Sequence, residues 1–261
     1  MKTKTLTMFA AILLLTINST AFCRSTDLEK QILKGKNLLY EAYLKYDELT
    51  YMQAYSVFER ILSVEPENEL ATYYLTFAQY RLIVLAMNRK ENDKFDKYYE
   101  LALKNCKKLE SSTTLANEAD ILKAAILMMK LANAPMQAPI LSPTINSTLD
   151  KILASDSLNT RALLIKGVMD YNTPAFFGGS VENAITRFNK AITVFESTES
   201  DKENLNPDWG YIETLAWLGQ AYAKAEKIDK AKETYEKALS VEPNFGWVRG
   251  FLLPALTKNQ N

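Results

Sequence analysis

Histidine is absent from the 261 residues of this chain. That removes the usual general base, the usual proton shuttle and the commonest metal ligand together. Cysteine is almost as scarce, with only Cys23 and Cys106. Two thiols are too few for a disulfide framework, although an exported compartment would permit one bridge between them. No Gly-x-Ser-x-Gly, paired-cysteine metal site or acid-rich calcium loop occurs. Charge of one sign is missing as well: Lys plus Arg and Asp plus Glu each total 31. A nucleic-acid partner would normally leave a basic excess, so none is expected. Carboxylates such as Glu65, Glu91, Glu182 and Glu242 fall at helix ends or on polar faces, where solvation and the helix dipole explain them. The inventory offers no nucleophile with a base, so neither an enzyme nor a cofactor is expected.

Long apolar runs are confined to the N terminus, MKTKTLTMFAAILLLTINSTAFC. Two early lysines, an apolar run from Met8 to Ile17 and small residues up to Ala21 make the layout of a secretory signal peptide. Ser19 and Ala21 are small where a signal peptidase needs them, which predicts a signal peptide over 1–21 and a mature chain beginning at Phe22. Lipid attachment at Cys23 is disfavoured, because Phe22 and Thr20 stand where a small residue and a leucine are usual. An uncleaved anchor is disfavoured too, since the run falls short of the roughly 20 residues a span needs. Residues 22–261 are then expected to be one exported domain, periplasmic or extracellular, with no further span.

Glycine and proline are sparse, eight of each, and alternating Val/Ile/Thr runs bounded by turn residues are missing. What fills the chain is Leu, Ala, Lys, Glu and Tyr with apolar residues three and four apart, an all-α pattern. The pattern repeats. FERILSVEPEN at 58–68 and YEKALSVEPNF at 235–245 share Glu, Leu, Ser, Val, Glu and Pro. Less regular copies begin at Tyr99, Leu149 and Phe188.

The last unit carries Leu215, Leu218, Gly219 and Tyr222, then Ala231, Tyr235, Ala238 and Pro243. This resembles the tetratricopeptide repeat, W-x2-L-G-x2-Y…A-x3-F…P, with leucine for the tryptophan and tyrosine for the phenylalanine. The first unit keeps Ala54, Phe58 and Pro66, though its preceding helix, KNLLYEAYLKY, lacks the Leu-Gly pair; the fourth keeps Gly167, Ala184, Phe188 and Ala191. A right-handed α-solenoid of about five degenerate pairs is expected, because an amphipathic pair must be covered by its neighbours. Trp247, Phe251 and Leu252 should lie on a C-terminal capping helix. APMQAPILSPTINS (134–147) and ESTESDKENLNPD (196–208) read as connectors, the second an exposed loop.

The resemblance implies a non-catalytic scaffold that holds a protein or peptide in a concave groove lined by the first helix of each pair. On the last unit that places Glu213, Gln220 and Lys224 as contacts. Tyrosine crowds the first hundred residues, and Tyr40 and Tyr80 are candidates for the same surface. The insertion NTPAFFGGSVENA is predicted to lengthen a turn, with Ser180 capping the next helix; Phe176 and Phe177 either tuck in or stand out to meet a partner. The same insertion is similar to one in the periplasmic TatT subunits associated with TRAP transporters. That similarity implies an alternative, a small-ligand-binding accessory of a solute transporter with an enclosed pocket.

Overall fold

A computed structural model describes residues 27–198 and 203–258. The expected signal peptide, its cleavage site and Cys23 lie outside the described residues. Within them the chain is all-α, a right-handed solenoid of five helix pairs. Helix α1 (residues 27–45) pairs with α2 (Glu48–Val64), α3 (Glu69–Arg89) with α4 (Asn92–Lys108), and α5 (Ala116–Asn133) with α6 (Ala138–Ser155). Then α7 (Thr160–Asn172) pairs with α8 (Val181–Ser197), and α9 (Tyr211–Lys224) with α10 (Ile228–Val241). A π-helical turn, Val248–Leu252, leads into the terminal helix α11 (Leu253–Lys258).

Short polar residues start these helices by accepting the free amides of the first turn. Asp47 accepts from Leu49 and Thr50, Asn68 from Ala71, Asn159 from Ala162, and Ser180 from Asn183. Pro66 and Pro243 stand two residues beyond the ends of α2 and α10, where neither can extend its helix.

The close crossing inside the first, fourth and fifth pairs depends on a glycine facing a ring. A Cβ on Gly219 would lie 2.2 Å from Tyr235 Cε1, and one on Gly167 would lie 2.5 Å from Phe188 Cε1. The first pair has the same device, contrary to the expectation that it lacks one: a Cβ on Gly35 would meet Phe58 Cζ at 2.3 Å. The glycine lies earlier on α1 than the stretch KNLLYEAYLKY. Gly219→Ala is expected to destabilise the protein by about 1–2 kcal/mol. The ~1–3 kcal/mol of overpacking against a buried ring exceeds the ~1 kcal/mol that alanine gains in a helix. Urea denaturation of the variant checks this, and Tyr235→Leu in the same background should recover part of the loss.

Two connectors differ from expectation. The 134–147 stretch is mostly helix, since α6 begins at Ala138. Pro139 sits in its first turn, where no amide partner is needed, and Pro143 is carried inside the helix on an exposed stretch. Of the described residues in 196–208 most are exposed as expected, but Asn204 and Leu205 are half-buried and Pro207 is buried. At the C terminus Trp247 packs edge-on against Trp217 at 5.3 Å and Leu252 is half-buried, but Phe251 points outward.

The winding closes on itself. From Ala71 to Ile83 every residue of α3 is buried, so this helix is covered all round by other elements. Tyr43 of α1 packs 5.4 Å from Phe245, just beyond α10, and the Tyr40 hydroxyl donates to Glu242 at 3.1 Å. First and last units therefore touch, and the inner helices α1, α3 and α9 converge.

Candidate functional site

The convergence point is a buried ion pair. Arg81 on α3 donates from both terminal nitrogens to Glu213 on α9, at 3.2 and 2.6 Å, and both side chains are nearly inaccessible. Rings surround the guanidinium, with Tyr43 at 4.3 Å, Phe77 at 4.8 Å, Tyr80 at 5.2 Å and Trp209 at 5.9 Å. The carboxylate and the rings hold the guanidinium well above its ordinary pKa against the pull of desolvation, which is the largest single influence. Among the described residues, Arg81 Nε and the Tyr43 hydroxyl have no hydrogen-bond partner. Glu213 and Tyr80, expected on a free groove surface, are thus interior groups that join the second unit to the last.

The rest of this interior is occupied by the chain itself. Residues 203–210 run in without helix between α8 and α9, with Pro207 buried. The Tyr74 hydroxyl donates to the Leu205 carbonyl at 2.7 Å. Lys36 Nζ donates to the carbonyls of Asn204 and Asn206 and pairs with Asp208 at 3.1 Å. Trp209 stacks on Phe77 at 5.0 Å and donates its indole N–H to the Tyr73 hydroxyl at 2.8 Å. An extended backbone held by a lysine and a tyrosine, with one aromatic anchor, is how a groove takes a peptide. Here the chain supplies that segment: Leu205, Pro207, Trp209 and Gly210 pack into the space between α1, α3 and α9, while Glu203, Asn206 and Asp208 stay exposed.

The tyrosines of the first two units are largely committed to this packing: Tyr43, Tyr51, Tyr73, Tyr74, Tyr80 and Tyr98 are buried. Tyr40 is exposed but bonded to Glu242. Cys106 is a buried free thiol whose pKa burial pushes up to about 12, so it carries no thiolate near neutrality.

The inward stripe of α9 continues from Glu213 through Trp217 and Gln220 to Lys224, and becomes more accessible toward its C-terminal end. Trp217 sits 5.6 Å from Tyr171 and 5.3 Å from Trp247, a row of half-buried rings. Lys224 Nζ lies 4.4 Å above the Tyr171 ring and donates to the Tyr171 carbonyl at 2.8 Å, a cation on the carbonyl end of α7. Gln220 is half-buried, and its amide nitrogen has no hydrogen-bond partner among the described residues.

Tyr171 leads directly into the turn that carries Phe176 and Phe177. These side chains are 92% and 74% exposed and touch each other edge to face at 5.2 Å. They stand out from the solenoid. The turn that holds them is stiff: Phe177 and Gly179 amides donate to the Pro174 carbonyl, and the Ser180 amide donates to the Asp170 carbonyl. Arg187 Nε fixes the Asp170 side chain at 2.7 Å. Gly178 has φ +88°, and a Cβ on Gly179 would fall 1.8 Å from the Thr173 carbonyl oxygen, so both glycines are architectural. The preceding pair turns at the same edge of the solenoid, and there Met136 and Ile140 are 92% and 73% exposed. Aromatic and aliphatic side chains thus line the turn edge of two consecutive units.

This arrangement of paired helices with a glycine-ring crossing has a counterpart in known proteins. Residues 212–245 match the tetratricopeptide repeat family. That last helix pair is similar to a tetratricopeptide repeat. The matched stretch is the last pair, α9 and α10, where Gly219 faces Tyr235 and Ala231 and Ala238 are fully buried. Two solved structures share the fold. One is the HusA haemophore from Porphyromonas gingivalis, with TM-score 0.60 and 21% identity over 77% of this chain and 93% of that one. The other is TTC0263, a thermophilic tetratricopeptide protein of Thermus thermophilus, with TM-score 0.59 and 20% identity over 85% and 99%. No curated protein matches the chain in sequence. At these identities the likeness is one of fold. The other tetratricopeptide positions carry the packing: Ala54, Phe58, Ala184, Phe188, Ala191, Leu215 and Leu218 are buried, while Tyr222 is half-buried and accepts a hydrogen bond from Asn189.

Proposed function

We propose that the protein is an exported, non-catalytic scaffold that holds a protein or peptide partner at the turn edge carrying Phe176 and Phe177. A tetratricopeptide-type fold supports an interaction role. Export rests on the signal-like N-terminal sequence. The observation that carries the choice of surface is the stiff turn that holds two phenylalanines in water while the chain's own 203–210 segment fills the inner space. Beside it, the ring row of Tyr171, Trp217 and Trp247 with Gln220 and Lys224 offers apolar area flanked by polar groups, the composition of an interface core and its rim. The family-like groove contacts in this reading are Gln220 and Lys224, at the outer end of α9.

Burying each phenylalanine against a partner is worth at least about 1.5 kcal/mol, so removing both should weaken binding about 100-fold. The mature protein is expected to capture a specific partner from envelope extract, and Phe176→Ser with Phe177→Ser is expected to lose it. The variant's own stability should stay within about 0.5 kcal/mol of wild type, because neither ring packs on the core. A partner retained undiminished by the variant, or none captured by the wild type, contradicts the proposal.

A further inference from the structure

The first helix pair carries a second feature, on its outer face. On α1, Lys30, Leu33, Lys34, Asn37, Leu38 and Glu41 recur at three- and four-residue steps and form one ridge over three turns. On α2, Leu49, Met52, Ser56 and Arg60 recur the same way. Between the ridges lies a groove of about 410 Å³, with Leu38, Leu49, Met52 and Val57 on its floor and walls. Leu49 is 68% exposed. This is the side of the pair turned away from the packed interior, for Lys36, Tyr40 and Tyr43 point the other way, toward the C-terminal units.

Charge gives the groove a direction. Because α1 and α2 are antiparallel neighbours, the beginning of α1 lies beside the end of α2. Lys30, Lys34 and Arg60 therefore gather at one end, with Lys34 and Arg60 lining the same groove. All three are exposed, and among the described residues none is held in an ion pair. At the other end the acid Glu41 is neutralised by Lys45 at 2.6 Å. A groove between two helix ridges, apolar along its floor and cationic at one end, fits another helix: apolar side chains interdigitate with the ridges while carboxylates reach the cations.

We propose that this groove binds an amphipathic α-helix of a partner protein, about three turns long, with an apolar stripe and carboxylates toward its C-terminal end. The partner helix takes the place a preceding repeat would hold, with the negative end of its dipole facing Lys34 and Arg60. The inference rests on the scaffold reading above but uses a separate surface, so the two can fail separately.

A random 16-residue peptide library selected on the mature protein tests it, with counter-selection on Lys34→Glu/Arg60→Glu. Both positions are exposed, and circular dichroism with urea denaturation verifies that the variant folds. Selected peptides should carry Leu, Ile, Met or Phe at three- and four-residue steps with Asp or Glu in the last turns. Synthetic copies should bind the charge-reversed protein at least tenfold more weakly, with affinity falling as salt rises. Basic or unpatterned peptides, equal binding to the variant, or no enrichment would overturn the proposal. Binding of phosphatidylglycerol vesicles through Lys34 and Arg60 in place of peptides would overturn it in favour of a lipid surface. Loss of this site with partner capture still dependent on Phe176 and Phe177 would leave the scaffold reading standing.

Discussion

Glu213→Ala is expected to cost about 3–5 kcal/mol of stability, because it leaves the Arg81 guanidinium buried without its counter-ion. Arg81 Nε already has no acceptor, so after the substitution the group would keep only the surrounding rings. Cation–π contacts of about 2 kcal/mol offset part of that and not the whole. Arg81→Ala should be milder than Glu213→Ala, since a lone carboxylate on α9 can be protonated or can draw in water. The double replacement Arg81→Met/Glu213→Leu removes both charges from the same space and should regain most of the loss. Urea denaturation of wild type, the two alanine variants and Arg81→Ala/Glu213→Ala gives the coupling energy directly, and the Met/Leu variant measures the recovery. Additive single effects, with no recovery in the double variant, would mean that the pair does not join α3 to α9 in solution.

Trp209→Ala carries the second large effect. The indole stacks on Phe77 and caps the Tyr73 hydroxyl, and Tyr73 is fully buried. Removing it takes away ring packing and orphans a buried hydroxyl, together about 3–5 kcal/mol. Trp209→Phe separates the two contributions: it keeps the stack and loses the hydrogen bond, so a cost of about 1–3 kcal/mol is expected. Lys36→Met tests the other end of the same segment. It releases the carbonyls of Asn204 and Asn206 and should loosen 203–208 without unfolding the solenoid, visible as faster amide exchange confined to that stretch.

The helix pairs were legible because their signal is local. Alanine, a ring and a proline recur at fixed steps in α2 and α10, and a glycine and a ring in α9 and α10 must meet whatever the rest of the chain does. Gly35 was overlooked for a related reason: α1 and α2 are longer than α9 and α10, so the glycine lies outside the expected interval from Phe58. Proline misled the reading of 134–147, because a helix tolerates it in the first turn and, on an exposed face, even further in.

Closure was not legible at all. Arg81 and Glu213 are 132 residues apart, and each alone reads as an ordinary charged residue on a helix. The segment 203–208 is held chiefly through its carbonyls, which every residue has, so its polar composition gave only the signature of a surface loop. Of the candidate contacts, Phe176 and Phe177 could be placed on a turn from the sequence, but whether they tuck in or stand out depends on how that turn folds. Gln220 and Lys224 lie on the inward stripe of α9, and Glu213 on the same stripe is sealed by a helix far away in sequence.

The central claim is that the solenoid closes, with the first unit seated on the last and Trp209 in the interior. Nuclear Overhauser contacts between selectively labelled rings test this most directly. Cross-peaks between Tyr43 and Phe245, whose ring centres are 5.4 Å apart, and between Phe77 and Trp209, at 5.0 Å, are the expected result. Absence of both, with the Trp209 indole proton exchanging as freely as one in water, would describe an open solenoid and contradict the closed one.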